Sequence, residues 1–341
     1  MPRSVTRVDQ GGRSPDLTVI TLTSDKRKPG TRDPVVVVTS NVHGDECTGV
    51  GTCLRLANEL DGLLSRGSVH LYPSLNPEAL ERRTRRHPDE DVDLNRLFPG
   101  DAGGSPAERL VFATWTDLAS RRPNLVVDIH ADAPGAIPYV LTDRAISLRG
   151  TDRARLEAEC AELAEATGLT VLQEYPDDRY ARYRLDRSLT GAVLNRLHVP
   201  AVTVEAGPRL VLDARAIETA AHAVRGMLAS LDMLQGAPGP HPSRLSGAWR
   251  RDSGPRASVA GVLVAVAEPG VPMRRGDVLA EVRSLGGAVL ERIRAEGDGF
   301  VVSFVERAHV VSGVPVCTYG FAVPGRPAQA GGGPPLGSRP A

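Results

Sequence analysis

Asp33-Pro-Val-Val-Val-Val-Thr-Ser-Asn-Val-His-Gly-Asp-Glu46 decides how this chain is read. The valines Val35 to Val38 read as a strand buried on both faces, because β-branched side chains fit the pleat and no polar face interrupts them. The strand runs into a turn carrying His43 and Glu46, three residues apart at the expected start of a helix. That spacing lets an imidazole and a carboxylate close on one small ion. In open α/β sheets, ligands gather beyond the carboxyl ends of strands, so the position itself favours a site. The pattern recurs at His87 and Glu90, but inside the charged run Arg82 to Asp91 with no apolar strand behind it, and that copy reads as a solvated loop.

Working outward, Leu17 to Leu22 reads as a strand before this stretch, separated from it by the polar turn Ser24 to Gly30. After it, Thr48 to Leu64 carries Leu54, Leu56, Leu60 and Leu63 at helical spacing, so a helix is expected to pack back on the sheet. A strand at Val69 to Pro73 follows, and His70 within it reads as a packed or solvent-facing residue. The segment Ser74 to Gly100 is too long for a simple connector. It holds Asn76-Pro77, Arg85 and Asp93-Leu-Asn-Arg-Leu-Phe-Pro-Gly100; Arg96 is a fork of donors suited to a carboxylate, and Asn95 beside it both donates and accepts.

A helix from Pro106 to Ser120 leads to Leu125-Val-Val-Asp-Ile-His130, a second apolar strand ending in histidine. His130 is therefore the expected third ligand beside His43 and Glu46. Asp128 shares its side of the strand, as a partner of His130 or of Arg85 or Arg96. A strand at Tyr139 to Thr142, a helix at Thr151 to Thr167, a strand at Leu169 to Leu172 and a charged loop at Glu174 to Arg187 come next, the loop placed to overhang the site. The strand Ala201-Val-Thr-Val-Glu-Ala-Gly207 then repeats the arrangement with a carboxylate, and Glu205 is the candidate general base, since hydrolysis at a metal needs an unligated carboxylate near the bound water.

Composition limits what such a site can belong to. In 341 residues, Lys plus Arg equals Asp plus Glu at 41 each, which removes a general electrostatic case for nucleic acid or an anionic membrane and points to small-molecule partners. No apolar run is long enough to span a bilayer, and Met1-Pro-Arg-Ser lacks the apolar core of a secretion signal, so a soluble, cytoplasmic protein is expected. Cys47, Cys53, Cys160 and Cys317 show no Cys-x-x-Cys spacing and read as free thiols, with Cys47 the one placed for reactivity.

His43-Gly-Asp-Glu46, Asp93-Leu-Asn-Arg96 with Phe98-Pro-Gly100, Asp128-Ile-His130 and Val204-Glu-Ala-Gly207 together resemble the succinylglutamate desuccinylase and aspartoacylase family, a branch of the zinc carboxypeptidase superfamily. The likeness covers most of residues 34 to 235. It implies an α/β fold, a mixed-sheet zinc carboxypeptidase-like catalytic domain. It also implies one Zn2+ per protomer bound by His43, Glu46 and His130, Asn95 and Arg96 on a substrate carboxylate, Glu205 as catalytic glutamate, and an arginine that polarises the scissile carbonyl. Spacing from Asn76-Pro77 favours Arg85 over Arg86 for that last role. Ala131 after the ligand histidine, and the extra arginines Arg82, Arg83 and Arg86, depart from the family pattern and bear on the substrate, not on the metal.

The catalytic domain is expected to span 1–234. Residues 235–254, rich in Pro, Gly, Ser and Arg, read as a linker, and 255–321 as a small all-β domain of short strands and glycine turns. That module resembles the barrel-sandwich fold of lipoyl and biotinyl carriers, yet no lysine lies between Arg275 and Gly320, so it is expected to cover the catalytic face or to pair protomers in a homo-oligomer. The tail 322–341 is Gly- and Pro-rich and reads as disordered. The whole reads as a zinc-dependent amidohydrolase that removes a short acyl group from an N-acyl amino acid or related amine. A metallocarboxypeptidase and a catalytically silent binding protein are the alternatives, and Glu205 speaks against the second.

Overall fold

The computed structural model describes residues 3–8, 16–26 and 32–323. Part of the turn expected at Ser24 to Gly30, and the tail from 324 onward, lie outside them. In chain order the strands begin with β1 (Arg3–Val8), which sequence reading missed, β2 (Leu17–Thr23), β3 (Val35–Ser40) and β4 (Ser68–Tyr72). They continue with β5 (Leu125–Asp132), β6 (Tyr139–Thr142), β7 (Thr170–Gln173), β8 (Ala201–Pro208) and β9 (Trp249–Asp252). The helices among them are α1 (Thr48–Glu59), α2 (Pro77–Arg82), α3 (Pro106–Ser120), α4 (Gly150–Ala166), α5 (Asp177–Arg182), α6 (Leu189–Ala192) and α7 (Ala214–Ser230). The C-terminal strands are β10 (Gly261–Ala265), β11 (Pro272–Met273), β12 (Val278–Arg283), β13 (Val289–Arg294), β14 (Gly299–Phe304), β15 (His309–Val310) and β16 (Cys317–Ala322).

β3 lies between β4 and β5 in parallel, and β8 extends the parallel set beside β5. β6 joins β8 antiparallel, which makes the sheet mixed. One face is mainly apolar: Val38, Val127, Ile129, Val202 and Val204 pack with Leu56, Ala220, Val224 and Met227 from α1 and α7. The other face changes character along its strands. Val37, Val126 and Ala201 sit in a second core with Leu110, Val111 and Leu189. Two residues further on the same face come Thr39, Asp128 and Thr203, and then His130 and Glu205, because side chains alternate with a period of two. Burial at one end and chemistry at the other are thus written into each strand.

Three expectations need correction. Of the four leucines read at helical spacing, Leu56 and the capping Leu60 are buried whereas Leu54 and Leu63 are exposed, because the buried stripe of α1 is completed by small residues such as Cys53 and Ala57. His87 is buried, not solvated: its backbone N–H donates to Val92 and folds the charged run back on itself. The stretch read as a featureless linker contains β9, which pairs with β7 on one side and β16 on the other. Through β9 the main sheet passes without a break into the C-terminal strands, in the order β1-β2-β4-β3-β5-β8-β6-β7-β9-β16-β14-β11, while β13-β12-β10-β15 form a separate sheet. Ala322, assigned to the tail, closes β16.

Candidate active site

The turn after β3 is held open by its own side chains. Asn41, in the left-handed region at φ 57, donates from Nδ2 to the carbonyls of His43, Gly44 and Glu46 at 2.9, 3.1 and 3.0 Å. Ser74 donates to Asn41 Oδ1 at 2.6 Å and fixes the amide. Gly44 lies against the backbone of Ala79 in α2, where a Cβ would sit 2.2 Å from its carbonyl carbon, so glycine is required by close approach. The helix begins only at Thr48, so His43 and Glu46 project from this loop, not from a helix.

Glu46, His43 and His130 converge, each buried, with one ligand atom apiece lying within 4.8 Å of the others. His130 Nδ1 is 2.7 Å from Glu46 Oε2, which also accepts the Ala131 N–H at 3.2 Å. His43 Nδ1 stands 3.0 Å from Glu46 Oε1 without hydrogen-bond geometry, and this buried nitrogen has no hydrogen-bond partner. The far nitrogens are gripped by carboxylates: His130 Nε2 lies 2.7 Å from Asp128 Oδ2 and His43 Nε2 3.2 Å from Asp93 Oδ1. Asp128 is in turn fixed by Thr39, its register partner, whose hydroxyl donates at 2.8 Å. Asp128 therefore does not pair with Arg85 or Arg96.

Burial would lower the pKa of both imidazoles, but the surrounding carboxylates outweigh it, so His43 is raised and His130 is well above its usual range. Burial pushes Glu46 up, and the two histidines override it and hold it well below the carboxylate range. The pocket thus favours positive charge where the ligand atoms meet. Two imidazole nitrogens and a carboxylate, the outer nitrogens anchored by acids and one inner nitrogen unpartnered, are the donor set of an open zinc site, and these residues fit one.

Strand register sets the neighbours. His130 is opposite Glu205 across β5 and β8, and Glu205 is opposite Tyr139 across β8 and β6. Glu205 is pushed up to about 8, by burial first and by nearby Glu46 and Asp132, with His130 and Arg251 opposing. Arg85 reaches the same cleft and donates to Glu46 Oε1 at 2.5 Å, its loop tied down by the Gly44 N–H on its carbonyl. Arg86 turns away to Asp91. Asn95 and Arg96 also line the cleft; Asn95 Oδ1 accepts from the N–H of Leu189 in α6, leaving its amide nitrogen as a donor. The expected overhang appears as Glu174 and Leu185 on the cleft wall.

Several residues in or behind the cleft escaped sequence reading. Asp93 was quoted without a role, though it begins the Asp-Leu-Asn-Arg motif. Asp143 follows β6, which runs antiparallel to β8, so the strand-end rule that selected Glu205 does not reach it, although its side chain lines the cleft. Arg251 comes from β9, too short a strand to show periodicity, and donates to Glu174 Oε1 at 2.8 Å. Cys47 is outside the cleft lining, and burial together with Asp45 and Glu46 raises its thiol pKa, which works against a thiolate nucleophile.

Comparison with known proteins gives the family and the fold. A model of the succinylglutamate desuccinylase/aspartoacylase catalytic domain matches residues 32–231. The N-alpha-acetyl-L-2,4-diaminobutyric acid deacetylase of Halomonas elongata is 29% identical over 143 residues, a stretch that is 40% of this chain and 41% of that protein. A succinylglutamate desuccinylase/aspartoacylase structure from Rhodobacter sphaeroides superposes with a TM-score of 0.76 at 19% identity, covering 94% of this chain and 95% of that one. A metallo-carboxypeptidase from Burkholderia cenocepacia shares the fold more distantly, with a TM-score of 0.51 at 18% identity over 67% of this chain and 64% of that one. No helix among the described residues is long and apolar enough to cross a membrane.

Proposed function

The chain belongs to the succinylglutamate desuccinylase/aspartoacylase family, and we propose that it is a zinc-dependent amidohydrolase that releases a short acyl group, of acetyl or succinyl type, from an N-acyl amino acid. The observation that carries this reading is the convergence of His43, Glu46 and His130 beside Glu205, in one cleft with Arg85, Asn95 and Arg96. The deacetylase activity named for the Halomonas relative supports the same reaction class.

His43, Glu46 and His130 would hold the zinc. When bound, such an ion supplies Lewis acidity and brings the pKa of a coordinated water towards about 7. The rest falls to the chain's own groups. Glu205 takes a proton at its carboxylate and returns it to the departing amine, a role suited to an unligated carboxylate that stands opposite His130 beside the ligand cluster. Arg85 offers a fixed cation to the negative charge that develops on the carbonyl oxygen, a contribution of roughly 10²–10³ in rate by comparison with other oxyanion donors. Arg96 and Asn95 grip the substrate carboxylate and set the scissile bond against these groups.

A panel of N-acetyl and N-succinyl amino acids set against blocked dipeptides tests the assignment. Release of the acyl group is the expected result. Faster release of a C-terminal residue from the dipeptides would transfer the chain to the carboxypeptidase reading, for which the distant fold likeness is the support.

A further inference from the structure

Arg85 lines two spaces. One is the cleft, and the other is a pocket of about 200 Å3 bounded by Thr84 to Pro88 and by Asp91. The proposed chemistry uses neither Arg86 nor His87, and both border this second space. His87 is 3% exposed, its Nδ1 is buried without a hydrogen-bond partner, and no described residue bonds to its Nε2. The loop holds the ring there: the His87 N–H donates to the Val92 carbonyl at 3.0 Å, and the His87 carbonyl accepts from the Asp91 N–H at 2.9 Å. A buried imidazole left unbonded costs free energy, and folded chains rarely leave one so. Charge points the same way. Arg86 meets only Asp91, at its carbonyl at 3.1 Å and its carboxylate at 3.5 Å, and that carboxylate is 86% exposed, so water screens the pair.

We propose that this pocket binds a small oxyanion, a carboxylate or a phosphate, between the Arg86 guanidinium and the His87 imidazole, and that the bound ion slows the reaction by drawing Arg85 away from the carbonyl oxygen. A guanidinium fork matches two oxygens of either anion, and an imidazole adds one N–H from whichever nitrogen carries the proton. At about 200 Å3 the pocket is smaller than those that take drug-sized ligands, which restricts it to small ions. Arg85 connects the two spaces: its carbonyl accepts from the Gly44 N–H in the turn that carries His43 and Glu46, and its guanidinium reaches Glu46. Hydrolysis of an N-acyl amine releases a carboxylate beside Arg85, so the reaction supplies one such ion, and inorganic phosphate in the medium is the other source. Binding itself needs no catalysis; only the effect on rate rests on the deacylase reading.

Phenylglyoxal labelling of arginines on the zinc-loaded full chain, mapped by peptide mass, locates the ion without relying on turnover. Acetate, succinate and inorganic phosphate are added in turn. Loss of labelling at Arg86, with Arg82 still labelled, is the expected result, since the two side chains are equally exposed and Arg82 lies outside the pocket. Whichever ion protects identifies the source. Unchanged labelling of Arg86 with all three overturns the site and leaves a pocket filled by water. His87→Phe keeps a ring and removes both nitrogens, so protection should vanish; protection that persists overturns the role of the imidazole. With an N-acyl amino acid as substrate, the protecting ion should lower kcat at saturation. Arg86→Gln should weaken that inhibition about 10- to 100-fold and leave the uninhibited rate unchanged. Inhibition that substrate relieves fully and that Arg86→Gln does not alter places the ion on the metal ligands and overturns the effect on rate. Turnover of no N-acyl amino acid overturns the deacylase reading and leaves the labelling result standing.

Discussion

Each imidazole at the centre of the cleft is held from behind by an acid, so tautomer and ring direction are settled before any ion arrives. His43→Ala and His130→Ala are each expected to lose bound zinc, measured by elemental analysis, while His87→Ala retains about one equivalent. Retention in His43→Ala with loss in His87→Ala would mean that the wrong His-x-x-Glu copy had been chosen. Asp93→Asn removes only the outer anchor, and a metal affinity weaker by about 10- to 100-fold is the expected cost. Glu205→Gln should keep zinc and fold yet lose about 10²–10⁴ in kcat, because only the proposed proton carrier has changed.

At the level of elements, the strand ends are where sequence and structure agree best. His43, His130 and Glu205 were legible because an apolar β-branched run followed by a lone polar residue is hard to explain by packing, and register then places the last two side by side. That logic does not reach Asp143, because β6 runs antiparallel to β8 and its end faces the other way. Arg251 was beyond reach: β9 is four residues of Trp, Arg and Asp in a Pro- and Gly-rich stretch, and only its ladder partners make it a strand. His87 was misjudged for a related reason, since a chain reversal that buries one side chain of a charged run leaves no periodic trace. The importance of β9 can be measured. Glu174 is buried and its ion pair with Arg251 spans two elements, so Arg251→Met strands a carboxylate and is expected to cost about 3 kcal/mol of stability. Adding Glu174→Gln should recover much of that loss in a double-mutant cycle followed by denaturant unfolding. Simple additivity would show that the pair is not coupled.

Across the whole molecule, the C-terminal strands are joined to the catalytic sheet by more than a tether. β9 hydrogen-bonds to both parts, and Ile137, Tyr139 and Leu141 from the catalytic side share a core with Phe300 and Val302 from the C-terminal side, capped by Trp249. Trp249 and Phe300 meet edge to face with ring centroids 5.0 Å apart. Polar contacts continue the seam to the cleft, where Ser303 donates to Asp132 at 3.2 Å and Tyr139 donates to the same carboxylate at 2.9 Å. Tyr139 and Leu141 are also walls of the active-site cleft. A cavity opened beneath them therefore reaches stability and substrate fit together. Phe300→Ala removes a fully buried ring from this shared core, and a loss of about 3–5 kcal/mol is the expected cost. Because the ladder is continuous, the variant should still unfold in one calorimetric transition at lower temperature, and its KM should rise although Phe300 touches no proposed catalytic group. Two resolved transitions, with zinc binding and kinetics unchanged, would instead mean that the C-terminal strands fold as an independent body and leave the cleft to the catalytic sheet alone.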